Sequence, residues 1–225
     1  MKKIAASGEC SACASRSAAK QLVSSDCAID LPAGPTEAIV LAERGNPRWI
    51  AADLLAQAEH APDAAIFFIT TSANLARQVQ AEVESQLNLL SRSNPAHVSA
   101  KRAGAILLAS SLSRAIEFIN QFAPEHLSLS GSERKLLGQI SSAGTVFVGR
   151  WAAQPLGDYS SGSNHVLPTS GWARRRGGLS AADLVKCISV QSINATGFAS
   201  LGADVQTLAR AEGLLAHANA IEVRR

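Results

Sequence analysis

Four places in the chain set a histidine near a second group that can hold a metal or move a proton. Gln57 and His60 stand three residues apart. On a helix such residues share a face with Cβ atoms about 5–6 Å apart, a spacing that suits two ligands on one metal. The same spacing suits a surface glutamine beside a histidine at the negative end of a helix dipole. Glu125 directly precedes His126, just after Pro124. An acid beside a histidine can transfer protons when both face one site. Asp158 and His165 lie in a glycine-rich stretch. Carboxylates serve zinc well, and aspartate and asparagine also favour turns for their own sake. Glu212 and His217 lie on either side of Gly213, a helix C-cap by its position. His97, after Ser93-Asn94-Pro95, is expected at the surface. No glycine-rich dinucleotide or P-loop signature follows a strand, and no serine elbow is present. Residue types and spacing alone leave both readings of each pair open.

These residues need elements to position them. Ala38–Ala42, Ile66–Thr70, Ala105–Leu108, Leu127–Leu129 and Gly144–Val148 read as short buried strands. Between them run helical patterns. Asn46-Pro47 supplies a cap and a first-turn proline for a helix carrying Ile50, Leu54, Leu55 and Ala58. Ser72 caps a longer one with Leu75, Val79, Val83, Leu87 and Leu90 at helical spacing. A third starts near Leu112, buries Ala115, Ile116, Ile119 and Phe122, and is stopped by Pro124. Residues 132–140 also read as helical. Alternation of this kind predicts an α/β fold, a parallel sheet covered by helices on both faces. Ligands of such sheets gather at the carboxyl ends of the strands, so the site is expected there. Residues 149–179 read as one long loop region, with Arg174-Arg175-Arg176 as a solvated face, and the chain reads as helical again from Ser180. The expected organisation is an N-terminal remnant (1–29), an α/β domain (30–179) and a small helical domain (180–225).

Composition narrows the function classes. At 47% hydrophobic and 17% charged, the chain can bury a real core. A net charge of +3 is too small to argue for nucleic acid, and no apolar run is long enough to span a membrane. Glu9 interrupts the only stretch that could begin a signal peptide, so a cytoplasmic protein is expected. Cys10 and Cys13 form a lone C-x-x-C. Without a second pair, they, Cys27 and Cys187 are expected as reduced, unpaired thiols.

Several strings then occur in a telling order: Ala33-Gly-Pro-Thr-Glu37, Asp53-Leu-Leu-Ala-Gln-Ala-Glu-His60, Ala123-Pro-Glu-His-Leu127 and Gly157-Asp-Tyr159. They continue with Gly162-Ser-Asn-His-Val-Leu-Pro-Thr169, Gly178-Leu-Ser180 and Ala211-Glu-Gly-Leu-Leu-Ala-His217. From about Asp30 to the C-terminus the chain resembles histidinol dehydrogenases. The resemblance implies a Rossmann-like parallel sheet, incomplete here, plus a small C-terminal helical domain. It implies oxidation of L-histidinol through L-histidinal to L-histidine, with NAD as oxidant at both steps and about one zinc per subunit. By residue, it implies Gln57, His60, Asp158 and His217 as zinc ligands and Glu125 and His126 as the catalytic pair. Thr36, His165 and Glu212 become substrate contacts beside His126 and the ligands. It implies a homodimer in which Glu212 and His217 act in the partner's site, and no nucleic-acid or membrane partner. Members of the family extend well beyond this chain on its N-terminal side, where their nucleotide-contacting residues lie. The expectation is therefore a chain shortened at its N-terminus. The alternatives are a non-catalytic remnant that binds zinc and dimerises, and a related dehydrogenase of another alcohol.

Overall fold

The computed structural model describes residues 19–224, apart from 21, 27, 28, 32 and 33. Cys10, Cys13, Cys27 and most of the expected N-terminal remnant therefore lie outside the described residues, while Cys187 is exposed and unpaired. The chain divides into two compact units, one ending at Leu184 and the other running from Val185 to Arg225. No helix among the described residues is long and apolar enough to cross a membrane.

The first unit is built on five strands: β1 (Glu37–Leu41), β2 (Ala65–Thr70), β3 (Gly104–Leu108), β4 (His126–Leu129) and β5 (Thr145–Val148). All neighbours pair in parallel, in the order β3-β2-β1-β4-β5. This is the parallel α/β sheet expected from the alternating pattern. Side chains leave β1 alternately to two cores. Ala38 and Val40 pack with Ile66 and Phe68 under α1 (Pro47–Ala58), α2 (Ala73–Leu87) and α3 (Ala96–Arg102). Ile39 and Leu41 pack with Ile69, Leu127 and Leu129 under α4 (Leu112–Phe122). On that face Phe67 meets Phe122 edge-on with ring centroids 5.1 Å apart, a favoured aromatic geometry.

Local chemistry sets the helix ends. The side chains of Asn46, Ser72 and Ser111 each accept a hydrogen bond from a first-turn amide, satisfying a donor that the helix leaves free. At the far end of α4, Ala123 takes the left-handed conformation at φ 58°, rare without glycine. That turn swings the chain directly into β4 and aims Glu125 and His126.

The helical segment expected at 132–140 is present as a 3-10 helix over 131–139. Two local expectations are corrected. The stretch 149–179 contains a helix, α5 (Gln154–Tyr159), started by Pro155 in its first turn, and a 3-10 turn at Trp172–Arg174. The region after Ser180 makes one 3-10 turn, Ala181–Leu184, which Asp183 closes by accepting from the Ser180 amide at 2.8 Å. The second unit's helices come later: α6 (Ala195–Ala211) and α7 (Leu215–Glu222), packed on each other through Gly202, Gln206 and Ala218. His97 is also not a free surface residue. It sits half-buried on α3, with Nε2 buried and unpaired among the described residues.

Where α3 meets β3, a Cβ on Gly104 would lie 2.5 Å from the Ala100 carbonyl oxygen. Gly104→Ala is expected to destabilise the chain by about 1–3 kcal/mol through overpacking against rigid backbone. Gly138→Ala, with nothing within 4 Å, should change stability by less than about 0.5 kcal/mol. Urea unfolding of both variants checks this; equal effects would show that the contact at Gly104 relaxes freely.

Candidate active site

The polar residues converge at the amino ends of the strands, opposite to the end expected. Glu37 opens β1, and the Ala38–His126 register sets Glu125 abreast of it on the neighbouring strand. Thr36 precedes both strands' first pairs. The reason is geometric. A helix that follows a parallel strand runs back toward the strand's start, so the last turn of α1 delivers Gln57 there. The short helix α5, which follows β5, carries Asp158 back in the same way.

The contacts form a chain. The Gln57 side-chain amide donates to the Thr36 hydroxyl, and the Thr36 hydroxyl donates to Oε2 of Glu125. The Glu37 backbone N–H donates to the same Glu125 oxygen at 3.1 Å. That oxygen lies 3.5 Å from Nδ1 of His126, and Nε2 of His126 lies 3.8 Å from Oδ1 of Asp158. Gln57, Glu125 and His126 are buried, Asp158 partly so. The His126 ring lies nearly parallel to that of Phe147, centroids 5.9 Å apart. Gly157 permits this arrangement, since a Cβ there would meet the Phe147 ring at 2.6 Å.

Burial by itself would lower the proton affinity of His126. Contact with the Glu125 carboxylate, its charge and that of Asp158 outweigh burial and hold the imidazole pKa above its ordinary 6.5. Both ring nitrogens are nevertheless buried without a hydrogen-bond partner among the described residues. A buried imidazole flanked by two carboxylates, with ring nitrogens unsatisfied, is suited to take a proton from a group that enters beside it.

His60 lies one turn beyond Gln57, exposed, with Nδ1 3.0 Å from the Ala56 carbonyl oxygen. Such a bond fixes the tautomer and leaves Nε2 as a metal donor. An imidazole, a carboxylate and an amide oxygen are donor types that zinc accepts. Among the described residues no three His, Cys, Asp or Glu side chains gather closely enough to hold a metal. The expected ligands include an amide, outside that set, and His217 in the second unit.

Not every expected residue joins the cluster. His165 is exposed and makes no hydrogen bond or ion pair with the others; the Asn164 side chain turns back to the Val166 amide at 2.8 Å. Glu212 and His217 belong to the second unit, where Glu212 caps α6, Gly213 takes φ +75°, and both side chains are exposed. Three further residues of the site escape a reading by residue type. Phe147 reads as core. Gln154, bonded to Ser128 at 3.0 Å, reads as loop. Glu37 reads as part of a strand entry, its signal being a carboxylate at the head of an otherwise apolar strand.

His126 is expected to titrate above 6.5 when its ring carbons are followed by NMR, and Glu125→Gln should lower the midpoint. Its protonated form then stabilises the folded chain below the ordinary imidazole range, and that contribution fades as pH rises through the raised value. A midpoint that Glu125→Gln leaves in place would break the assigned coupling.

A family model described as histidinol dehydrogenase matches residues 15–225. The histidinol dehydrogenase of Legionella pneumophila (strain Paris) is 46% identical over 211 residues, covering 92% of this chain and 49% of the relative. That of Escherichia coli (strain K12) is 43% identical over 199 residues, covering 88% and 46%. The crystal structure of histidinol dehydrogenase from Elizabethkingia anophelis matches with a TM-score of 0.87 at 40% identity, over 92% of this chain and 48% of that one. The chain thus spans about half the length of the curated relatives it matches. With a matching family model over nearly its whole length, the chain belongs to the histidinol dehydrogenase family.

Proposed function

We propose that this chain serves the oxidation of L-histidinol to L-histidine by way of L-histidinal, in histidine biosynthesis in the cytoplasm. Family membership supports the reading. The observation that carries it is the meeting of Thr36, Gln57, Glu125, His126 and Asp158, distant in sequence, at one end of the sheet. When bound, zinc on Gln57, His60, Asp158 and a second copy's His217 supplies an anchor for the substrate's imidazole and amine, and NAD supplies the hydride acceptor.

The chain's own residues do the rest. The alcohol loses a hydride and a proton to become the aldehyde, and His126 takes that proton. Its raised proton affinity and its stacking on Phe147 suit the task. Glu125 removes a proton from the water that adds to the aldehyde. The resulting hydrate loses a second hydride and proton to give the acid. The Thr36 hydroxyl, held between Gln57 and Glu125, keeps the water-activating carboxylate in line with the imidazole. His165 and Glu212 are assigned to hold the substrate.

The assembly proposed is a homodimer with Glu212 and His217 acting in the partner's site. The second unit supports this. Leu201, Val205 and Leu208 form a stripe at helical spacing on α6, each at least 42% exposed, and Leu215 on α7 is 71% exposed. A pair of short helices is too small to bury such a stripe on itself.

The second reading is a non-catalytic remnant that binds zinc and dimerises, for which the exposed stripe Leu201, Val205 and Leu208 serves equally well. Calorimetric titration of zinc-loaded protein with L-histidinol, beside an assay of NAD reduction, separates the two. Binding is expected, and His60→Ala should weaken zinc retention at least about 10-fold. Turnover supports the enzyme, zinc-loaded protein that does not bind histidinol or binds it without turnover supports the remnant, and well-folded protein that retains no zinc overturns both.

The in-trans assignment has its own check. A chain lacking residues 205–225 and a Gln57→Ala, His60→Ala chain should each fail to retain zinc, and their mixture should regain about one site per heterodimer. A mixture that dimerises but stays metal-free rules the assignment out.

A further inference from the structure

Glu37 is a buried acid with no part in the chemistry above. It is 8% exposed, at the head of a strand whose other residues are all apolar and buried. Its two ends are both engaged. The backbone N–H holds Oε2 of Glu125 at 3.1 Å, while side-chain Oε1 accepts from the Ser170 amide at 3.0 Å. Oε2 of Glu37 is buried and has no partner among the described residues.

The residues it grips are themselves unusual. Ser170 takes a left-handed backbone at φ 53°, uncommon without glycine and retained only where the surroundings hold it. The neighbouring Thr169 hydroxyl is buried and unpaired. The turn presses on the segment leading into β1 so closely that a Cβ on Gly34 would lie 2.5 Å from the Ser170 hydroxyl. Glu37 is therefore the one side chain described as joining this strained turn to the strand that carries the site.

We propose that Glu37 is a positioning residue for Glu125: its amide and its buried carboxyl together set where the Glu125 carboxylate stands and tie the Thr169–Ser170 turn to the amino end of β1. The inference rests on reading Glu125 as the carboxylate that activates water. The register makes the two acids neighbours on paired strands, and two carboxylates so placed repel when both are ionised. The other charged groups facing Glu37 are few. Arg174, on the 3-10 turn beyond Ser170, favours its ionised form, and His126 lies 3.5 Å from the same Glu125 oxygen and close to the Glu37 backbone. Burial, aided by the Glu125 charge, outweighs Arg174 and the Ser170 amide and pushes the Glu37 carboxyl from 4.5 up to about 7. Near neutrality, then, Glu37 is only about half ionised. It holds the turn without adding a full second negative charge beside Glu125.

The test needs no substrate, so it stands apart from the fate of the histidinol reading. In the full chain, carbon NMR of the side-chain carboxyls should find Glu37 titrating near 7. Glu125→Gln should move that midpoint down toward the ordinary carboxyl range. Stability in urea should fall as pH rises from about 4.5 to 7, because the folded chain binds the proton that the unfolded chain has lost. Glu37→Gln should flatten that slope, the remainder coming from Asp53, which burial raises to about 6, while leaving the Ser170 amide as protected from hydrogen exchange as in the unchanged chain. Glu37→Ala should lower that protection at least about 10-fold, one bond's worth of local stability. A Glu37 midpoint that ignores Glu125→Gln overturns the proposal, as does Ser170 protection that survives Glu37→Ala. If the alanine variant does not fold, the titration of the unchanged chain against Glu125→Gln decides alone.

Discussion

Everything at the site depends on the parallel pairing of β1 with β4. Setting Ala38 opposite His126 fixes Glu37 beside Glu125 and puts Thr36 just ahead of both. These contacts lie between backbones tied by a ladder in the middle of the sheet, where neither strand can slide without turning its whole apolar set to the wrong core. The register is therefore held by Ile39, Leu41, Leu127 and Leu129, residues of the apolar core and not of the polar cluster. Precision at the polar end is inherited from apolar packing behind it.

The same pairing explains why polar groups are tolerated there. Gln57, Glu125 and His126 are all nearly closed off from water, where an unpaired polar atom is costly and a satisfied one is worth more than at the surface. Most of the capacity is spent internally: Gln57 on Thr36, Thr36 on Glu125, and Glu125 also on the Glu37 amide. What is left over is concentrated on the two nitrogens of His126, on Oε1 of Gln154, on Thr169 and on the free oxygen of Glu37. Among the described residues only His126 has two such atoms, so the imidazole carries the largest unmet demand.

Backbone strain appears at the joints that aim these groups. Among the described residues, Ala123 and Ser170 are the two non-glycine residues with positive φ. One turns α4 into Glu125, and the other presents its amide to Glu37. Each sits where the chain must change direction within a residue or two of a buried carboxylate. Residues in such conformations persist when the surroundings over-determine them, and here the sheet on one side and the carboxylates on the other do so.

The local elements were legible in the residues themselves. Asn46 and Ser72 mark helix starts because a short polar side chain can satisfy a first-turn amide, and the apolar runs mark strands because both faces are covered. The three-residue spacing of Gln57 and His60 and the adjacency of Glu125 and His126 are equally local, and family strings in their order add what such spacing implies. What no window of sequence holds is which of these meet. Thr36 and Glu125 are 89 residues apart, and Glu37 and Ser170 are 133 apart. Those distances are closed by strand order and by helices running back along the sheet. That is also why the site stands at the amino ends, although the general habit of such sheets points to the other. Residue types and periodicity act over a turn or a strand and determine elements. Placing Glu37 beside Glu125, and an unsatisfied His126 between two acids, took a sheet order that only apolar cores on both faces could hold in register.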